Sequence, residues 1–426
     1  MIRKHILITL CLVIPYNIFA QQRDISYYQS AAHTNSPEIK ENVNLQKYKL
    51  LESDLIKAQF QKPQVNFTAD YILAPFFFDG GKVVSVTSNP SSKATGYDVA
   101  ITDGGLYAAQ VGVTKSLFNW KSLNALLNQN SIENRLLQLN QTQMQHDLEK
   151  NVNDQYITVY QLQEQREFLK NTISKLTERL KIVEELVKKN LLKPSDYLAL
   201  DVELTARRFE LKLLHGSLIS AIDQLNNLCG INDTAVYYFS SPSIVQSKPL
   251  NNFTFQEKFK SDSLSIIAQQ AVSNTKYNPQ VEVFGNTGLN SSNASTISRN
   301  FGVSAGIHLS IPIYDGKQRR ITESQSKILM ENGQNYRNSY TVRIKNELGM
   351  ISKQIVSTKE SLILLDQQLN KQKSLIATYE GELALGQISI IDYIIALQEY
   401  STTLQSRAQT ESNLWLLISQ YNYLNW

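Results

Sequence analysis

Two acidic side chains in this 426-residue chain stand where they could do chemistry, and they are repeated. Asp196 lies in Lys193-Pro194-Ser195-Asp196-Tyr197 and Asp392 in Ile390-Ile391-Asp392-Tyr393, with 196 residues between them. A carboxylate in such a place has two uses. It can cap a helix N-terminus, or, brought around an axis in several copies, it can form an acidic ring that selects cations at a pore mouth. Periodicity leaves both readings open.

Other chemistry lacks residues. His33, His146, His215 and His308 are scattered, without an HExxH or Cys/His cluster for zinc. Gly316-Lys317 lacks the earlier glycine and the following Ser/Thr of a phosphate loop. The expectation is a protein that is no enzyme and has no cofactor and no metal site. Cys229, in Leu225-Asn226-Asn227-Leu228-Cys229-Gly230, reads as a small apolar residue at a helix end rather than a reactive thiol.

The elements that position the two aspartates follow from the same period. Residues 1–20, with basic Arg3 and Lys4, an apolar run from Ile6 to Ile14 and Ala20 before Gln21, read as a secretory signal peptide. Cys11 lies inside it, too early for a lipid-acceptor cysteine. Without Arg3 and Lys4 the formal charge falls from +4 to +2 with no run of one sign, which argues against a nucleic-acid partner. No later stretch is apolar over about 18 residues, so a membrane could be crossed only with strands.

Asn119 and Asp315 also lie 196 residues apart, each after an alternating apolar run and each 77 residues before its Asp-Tyr pair. The unit of structure is therefore about half the chain. Leu348, Ile355, Leu362, Leu369, Ile376 and Leu383 recur as heptads, matched at the same offset by Val152, Val159, Ile173, Leu180 and Val187. Leu169, Leu176 and Val183 fill a second row. Such heptads predict helices packed along their length, and 77 residues of helix would extend roughly 115 Å.

The first repeat is expected over 21–235, with a helix at 37–61, membrane strands at 63–78 and 98–118, a long helix at 119–190 and a return helix at 195–229. An equatorial connection covers 236–257. The second repeat, 258–426, has a helix at 260–277, strands at 279–290 and 300–314, a long helix at 316–385 and a return helix at 389–425. In the strands one face is apolar (Phe301, Val303, Ala305, Ile307, Leu309, Ile311, Ile313) and the other small or polar (Gly302, Ser304, Gly306, His308, Ser310). That is the pattern of a transmembrane β-strand; a sheet half-buried in a soluble core is the alternative. Four strands cannot close a barrel, so several chains must pool theirs. Trp120, Tyr314 and the Phe76-Phe77-Phe78 run mark aromatic girdles at strand ends, and Lys317, Arg319 and Arg320 mark the inner membrane boundary.

The segment Gly306 to Arg320, the turn Gly386 to Asp392 and its counterpart Asn190 to Asp196 resemble the TolC-like outer membrane efflux proteins over essentially the whole mature chain. That resemblance implies a membrane α+β fold: a duplicated helix-strand-strand-helix protomer whose homotrimer forms a 12-stranded outer membrane β-barrel on a periplasmic α-helical coiled-coil tunnel. It further implies partners, namely a periplasmic adaptor, an inner-membrane transporter of RND or ABC type, and outer membrane lipid. Asp392 matches a periplasmic constriction aspartate and Asp196 its first-repeat equivalent. Asn190, Leu191, Pro194, Ser195, Gly386, Gln387 and Ser389 fall at the helical tips, where the adaptor would dock. Ile395 stands where some members have a second aspartate, and Leu383 and Ile388 stand in place of gating Tyr and Arg residues. Two other readings accompany an efflux channel: an exit duct for type I protein secretion, and a periplasmic coiled-coil scaffold or adaptor.

Overall fold

A computed structural model describes residues 23–71, 75–85, 91–96, 107–233, 237–250, 255–291 and 294–426. The expected signal segment, 1–20, lies outside them. The elements are α1 (Ile25–Asn35), α2 (Pro37–Gln61), β1 (Gln64–Tyr71), β2 (Phe76–Asp79), β3 (Lys82–Ser85), β4 (Tyr107–Leu117), α3 (Trp120–Lys188), α4 (Pro194–Cys229), α5 (Phe255–Thr275), β5 (Gln280–Ser291), β6 (Phe301–Ser310), α6 (Gln318–Ala384) and α7 (Ile390–Leu424). Contacts divide the chain into two units. One comprises Met1–Lys40, Gln141–Phe253 and Tyr340–Trp426; the other comprises Glu41–Asn140 and Thr254–Ser339. The contact units thus cut across the two sequence repeats.

The first unit is helical. Its α1 is absent from the sequence reading, although Asp24 carries a start signal: its carboxylate accepts the Tyr27 N–H at 3.0 Å. This helix buries Tyr28 against the rings of Tyr156 and Phe239, with centroids 5.8 and 5.7 Å away. Cys229 is buried in the same cluster. Burial pushes its thiol up to about 12, so it stays protonated at neutral pH and serves as packing. The described connection at 237–250 has no regular structure apart from a bridge between Arg23 and Phe239. Its backbone is satisfied by side chains instead. Asn422 donates to the Val245 carbonyl and Asn425 to the Lys248 carbonyl, while their amide oxygens accept the N–H groups of Ser247 and Leu250.

The heptad rows are not buried equally in the two copies. Towards the turns, Leu169, Leu176 and Val183 form the buried row of α3, whereas in α6 it is the other row, Leu369, Ile376 and Leu383; farther from the turn Val152 and Val159 of α3 are buried as well. Ile173, Leu180 and Val187 are only partly buried. A heptad pattern marks a stripe two rows wide, and the facing helix decides which row lies deepest.

The second unit carries the strands. A four-stranded antiparallel sheet has the order β1-β4-β5-β6, and β2 with β3 forms a separate hairpin. The strand expected at 63–78 is therefore two strands in different sheets, with 72–74 outside the described residues. Phe76 is buried in the hairpin while Phe77 and Phe78 are exposed, so the three do not act as one girdle. Of the strand expected at 98–118, Tyr107–Leu117 is described. The strand expected at 300–314 stops at Ser310, whose partner Gln280 directly follows Pro279. Pro312 has no N–H to extend the ladder.

Gln163 of α3, 1% exposed, pins Phe239 on both sides. Its amide nitrogen donates to the Phe239 carbonyl at 2.9 Å and its amide oxygen accepts the Phe239 N–H at 2.8 Å. Gln163→Leu keeps the volume and strands both buried backbone groups. We expect a loss of about 2–4 kcal/mol, measured as a lower midpoint of thermal unfolding together with faster hydrogen exchange at Phe239. Unchanged exchange there would refute the assignment.

Candidate functional site

The repeated aspartates sit just beyond matched helix ends. Asn190 adopts a left-handed φ of 58°, and Gly386, its counterpart, a φ of 70°. At the first end, Leu191 N–H reaches the Leu186 carbonyl and Asn190 N–H the Val187 carbonyl, both at 2.9 Å. At the second, Gln387 N–H reaches Glu382 and Gly386 N–H reaches Leu383, at 2.9 and 3.0 Å. Both are Schellman caps, and they explain why Asn and Gly, the residues that best tolerate this conformation, hold these places. Pro194 opens α4 at a position whose N–H would be unpaired in any helix. Ser389 caps α7, its hydroxyl accepting the Ile391 N–H at 3.2 Å.

The two aspartates differ in their partners. The Asp196 carboxylate accepts the Lys193 N–H at 3.0 Å, closing the turn before α4. Asp392 is exposed and has no hydrogen-bond or ion partner among the described residues. The capping use thus belongs to Asp196, while Asp392 keeps its carboxylate for solvent. Ser195 and Leu191 are exposed beside them.

Behind the turns, the two repeats share one apolar cluster that includes Leu176, Val183, Leu200 and Leu204 from one copy and Ile376, Leu383, Ile390 and Tyr393 from the other. Polar links lie along it. Arg179 of α3 pairs with Glu380 of α6 at 2.9 Å, and the buried Tyr393 hydroxyl of α7 donates to the same Glu380 at 3.4 Å. Burial is the main cause that raises Tyr393 to about 12, so its hydroxyl remains a donor at neutral pH. Glu203 of α4 accepts from Arg207 and from Gln398 of α7, both at 2.8 Å. The sequence pattern did not reveal these links. Charges flanking a heptad seam give no indication of which helix they will meet.

In the sheet, paired residues show which side chains share a face. Phe67 pairs with Val111, Leu117 with Val281, Val283 with Ile307 and Thr287 with Val303. One largely apolar face therefore runs across all four strands, with Lys115 on it opposite Val283 towards the helix-side end. It is bare: Phe67 is 70% exposed, Ile307 71% and Val303 81%. The other face carries Asn66, Gln110, Asn286, Ser304 and His308, with His308 directly opposite Glu282. Among the described residues no strand pairs with the outer edge of β1 or of β6. Trp120, Tyr314, Lys317, Arg319 and Arg320 are all exposed where the strands give way to helices. Among the described residues no group of three or more His, Cys, Asp and Glu side chains could hold a metal ion, and no helix is long and apolar enough to cross a membrane.

A duplicated helix-strand-strand-helix chain whose four-stranded sheet has one apolar face has the fold of outer-membrane channel proteins, as the TolC-like resemblance implies. Among solved structures, the outer-membrane channel OprN is similar with a TM-score of 0.70 and 15% identity, over 94% of this chain and 89% of that one. The outer membrane protein VceC from Vibrio cholerae has a TM-score of 0.70 at 11% identity, over 94% and 96% of the two chains. The CmeC outer membrane channel of Campylobacter jejuni has a TM-score of 0.69 at 11% identity, over 94% and 85%. No protein-family profile and no curated protein sequence matches the chain.

The unequal roles of the aspartates are measurable. Asp196→Ala should cost about 1 kcal/mol in the first turn of α4, seen as faster amide exchange at Lys193. Asp392→Ala should leave exchange around Ser389 unchanged. Equal effects at both turns would contradict the distinction.

Proposed function

We propose that this protein is a passive exit channel of the outer membrane, a homotrimer with most of its chain in the periplasm, conducting small molecules out of the cell. The observation that carries the reading is the sheet with an exposed apolar face and two open edges. Hydrocarbon accepts the face but not the edges, because unpaired N–H and C=O groups have no partners there. The smallest membrane barrels have about eight strands. Three copies supply twelve and leave no edge.

The helical turns support a docking role. Leu191, Leu385 and Ile391 expose apolar side chains at or beside the turns, together with Asn190, Pro194, Ser195, Gly386, Gln387 and Ser389. A periplasmic adaptor that brings substrate from an inner-membrane transporter, of RND or ABC type, would find its contact there. In the trimer, the free carboxylate of Asp392 and the capping carboxylate of Asp196 would form acidic rings that attract cations.

The detergent-solubilised protein should run as a trimer and conduct ions in planar bilayers. A monomer released with the soluble periplasm would overturn the reading and favour a scaffold. Asp392→Ala should lower the cation-to-anion permeability ratio by at least about twofold, with a smaller change for Asp196→Ala, whose charge already faces an N–H donor. Unchanged selectivity in Asp392→Ala would remove the acidic ring from the proposal.

A further inference from the structure

We infer that the cavity where β6 passes into α6 binds the phosphate headgroup of an anionic membrane phospholipid, an inference that rests on the sheet lying in a bilayer. The cavity, about 550 Å³, is lined by Tyr277, Tyr314, Asp315, Lys317, Arg319 and Arg320, among others. Two acidic side chains, Asp315 and Glu323, line it as well, and both are engaged. Asp315 accepts the Lys317 N–H at 2.9 Å and the Arg319 N–H at 2.8 Å. These bonds, with one from the Tyr277 side chain, hold its carboxyl below the usual range. They also hold Lys317 at a left-handed φ of 68°.

The cations are not engaged to the same extent. Arg319 pairs with Glu323 at 3.4 Å and lies 5.9 Å from the Tyr277 ring centre. Lys317 and Arg320 are exposed and have no ion partner among the described residues. An ammonium and a guanidinium within four residues suit a phosphodiester, which accepts several charge-assisted hydrogen bonds.

The neighbours select a lipid over a free anion. Ile313, 97% exposed, and Tyr314, 80% exposed, line the same cavity. Inorganic phosphate would use the charges and leave both side chains in water. An acyl chain beside Ile313 would remove that apolar surface from water, and anionic leaflets concentrate their lipids next to juxtamembrane Lys and Arg.

The helix start by itself calls for a lysine, since Lys121 matches Lys317, but not for the two arginines. In the first repeat, Leu123 and Asn124 hold the places of Arg319 and Arg320. Asn119 replaces Asp315 and donates to the Phe60 carbonyl at 2.8 Å. Arg319, Arg320 and Asp315 thus distinguish the second strand-to-helix passage from the first.

The test uses the full-length protein in nanodiscs with equal phosphatidylglycerol and phosphatidylcholine. Lipids retained after extraction are counted by native mass spectrometry, and conductance is recorded from the same preparation. We expect retained lipid to be enriched in phosphatidylglycerol, falling by about fivefold for each cation removed in Lys317→Ala and Arg320→Ala. Lys317→Arg should keep the enrichment. Equal retention of both lipids, or unchanged enrichment in the double variant, would overturn the inference while normal conductance leaves the channel intact. Displacement by millimolar inorganic phosphate would also overturn it, in favour of a free-anion site. A soluble, non-conducting monomer would overturn both.

Discussion

The ladder between β4 and β5 is the contact on which the sheet depends. It runs from Tyr107 opposite Ser291 to Leu117 opposite Val281, joining segments far apart in sequence. The other two pairings, β1 with β4 and β5 with β6, each lie within one repeat. Without the central ladder they would be separate hairpins, which are marginal alone in water. With it, their apolar residues become one surface and only two edges remain. Gly288 permits the close approach: a Cβ there would lie 2.2 Å from the Ala109 carbonyl oxygen.

The tips show a different use of the duplication. The repeat reproduces the backbone path, with left-handed caps at Asn190 and Gly386 and helix starts at Pro194 and Ile390. It does not reproduce the electrostatics. In the first copy Asp196 spends its charge on the turn, while in the second Ser389 does the capping and Asp392 is left in solvent. The donors differ: Lys193 gives its own N–H to Asp196, whereas at the second turn Ile391 gives its N–H to the Ser389 hydroxyl, an acceptor that a lysine ammonium does not offer.

Much of this was legible in the residues. Strand alternation in Phe301 to Leu309 places one residue type on one face, and the heptads mark the packed stripe of α3 and α6. Three things were not. Helix α1 is short, and it is held by Tyr28, whose partners Tyr156 and Phe239 lie more than a hundred residues away. The hairpin of β2 and β3 has the same local composition as a membrane strand, and only pairing distinguishes it. The link from Arg179 through Glu380 to Tyr393 joins three helices whose relative rotation no single helix encodes.

The sequence by itself determined what is periodic: the duplication, the lengths of the paired helices, the apolar face of each strand and the turns where helices reverse. These follow from local rules, since side-chain direction repeats every two residues in a strand and every 3.6 in a helix. Tertiary structure decided what depends on a distant partner. It set which heptad row lies deepest, joined the two tips in one cluster around Tyr393, left Asp392 free while occupying Asp196, and gathered Lys317, Arg319 and Arg320 around a cavity with Tyr277. The physical reason is the same in each case. A charge or an apolar side chain acquires its role from the group that meets it, and that group comes from elsewhere in the chain.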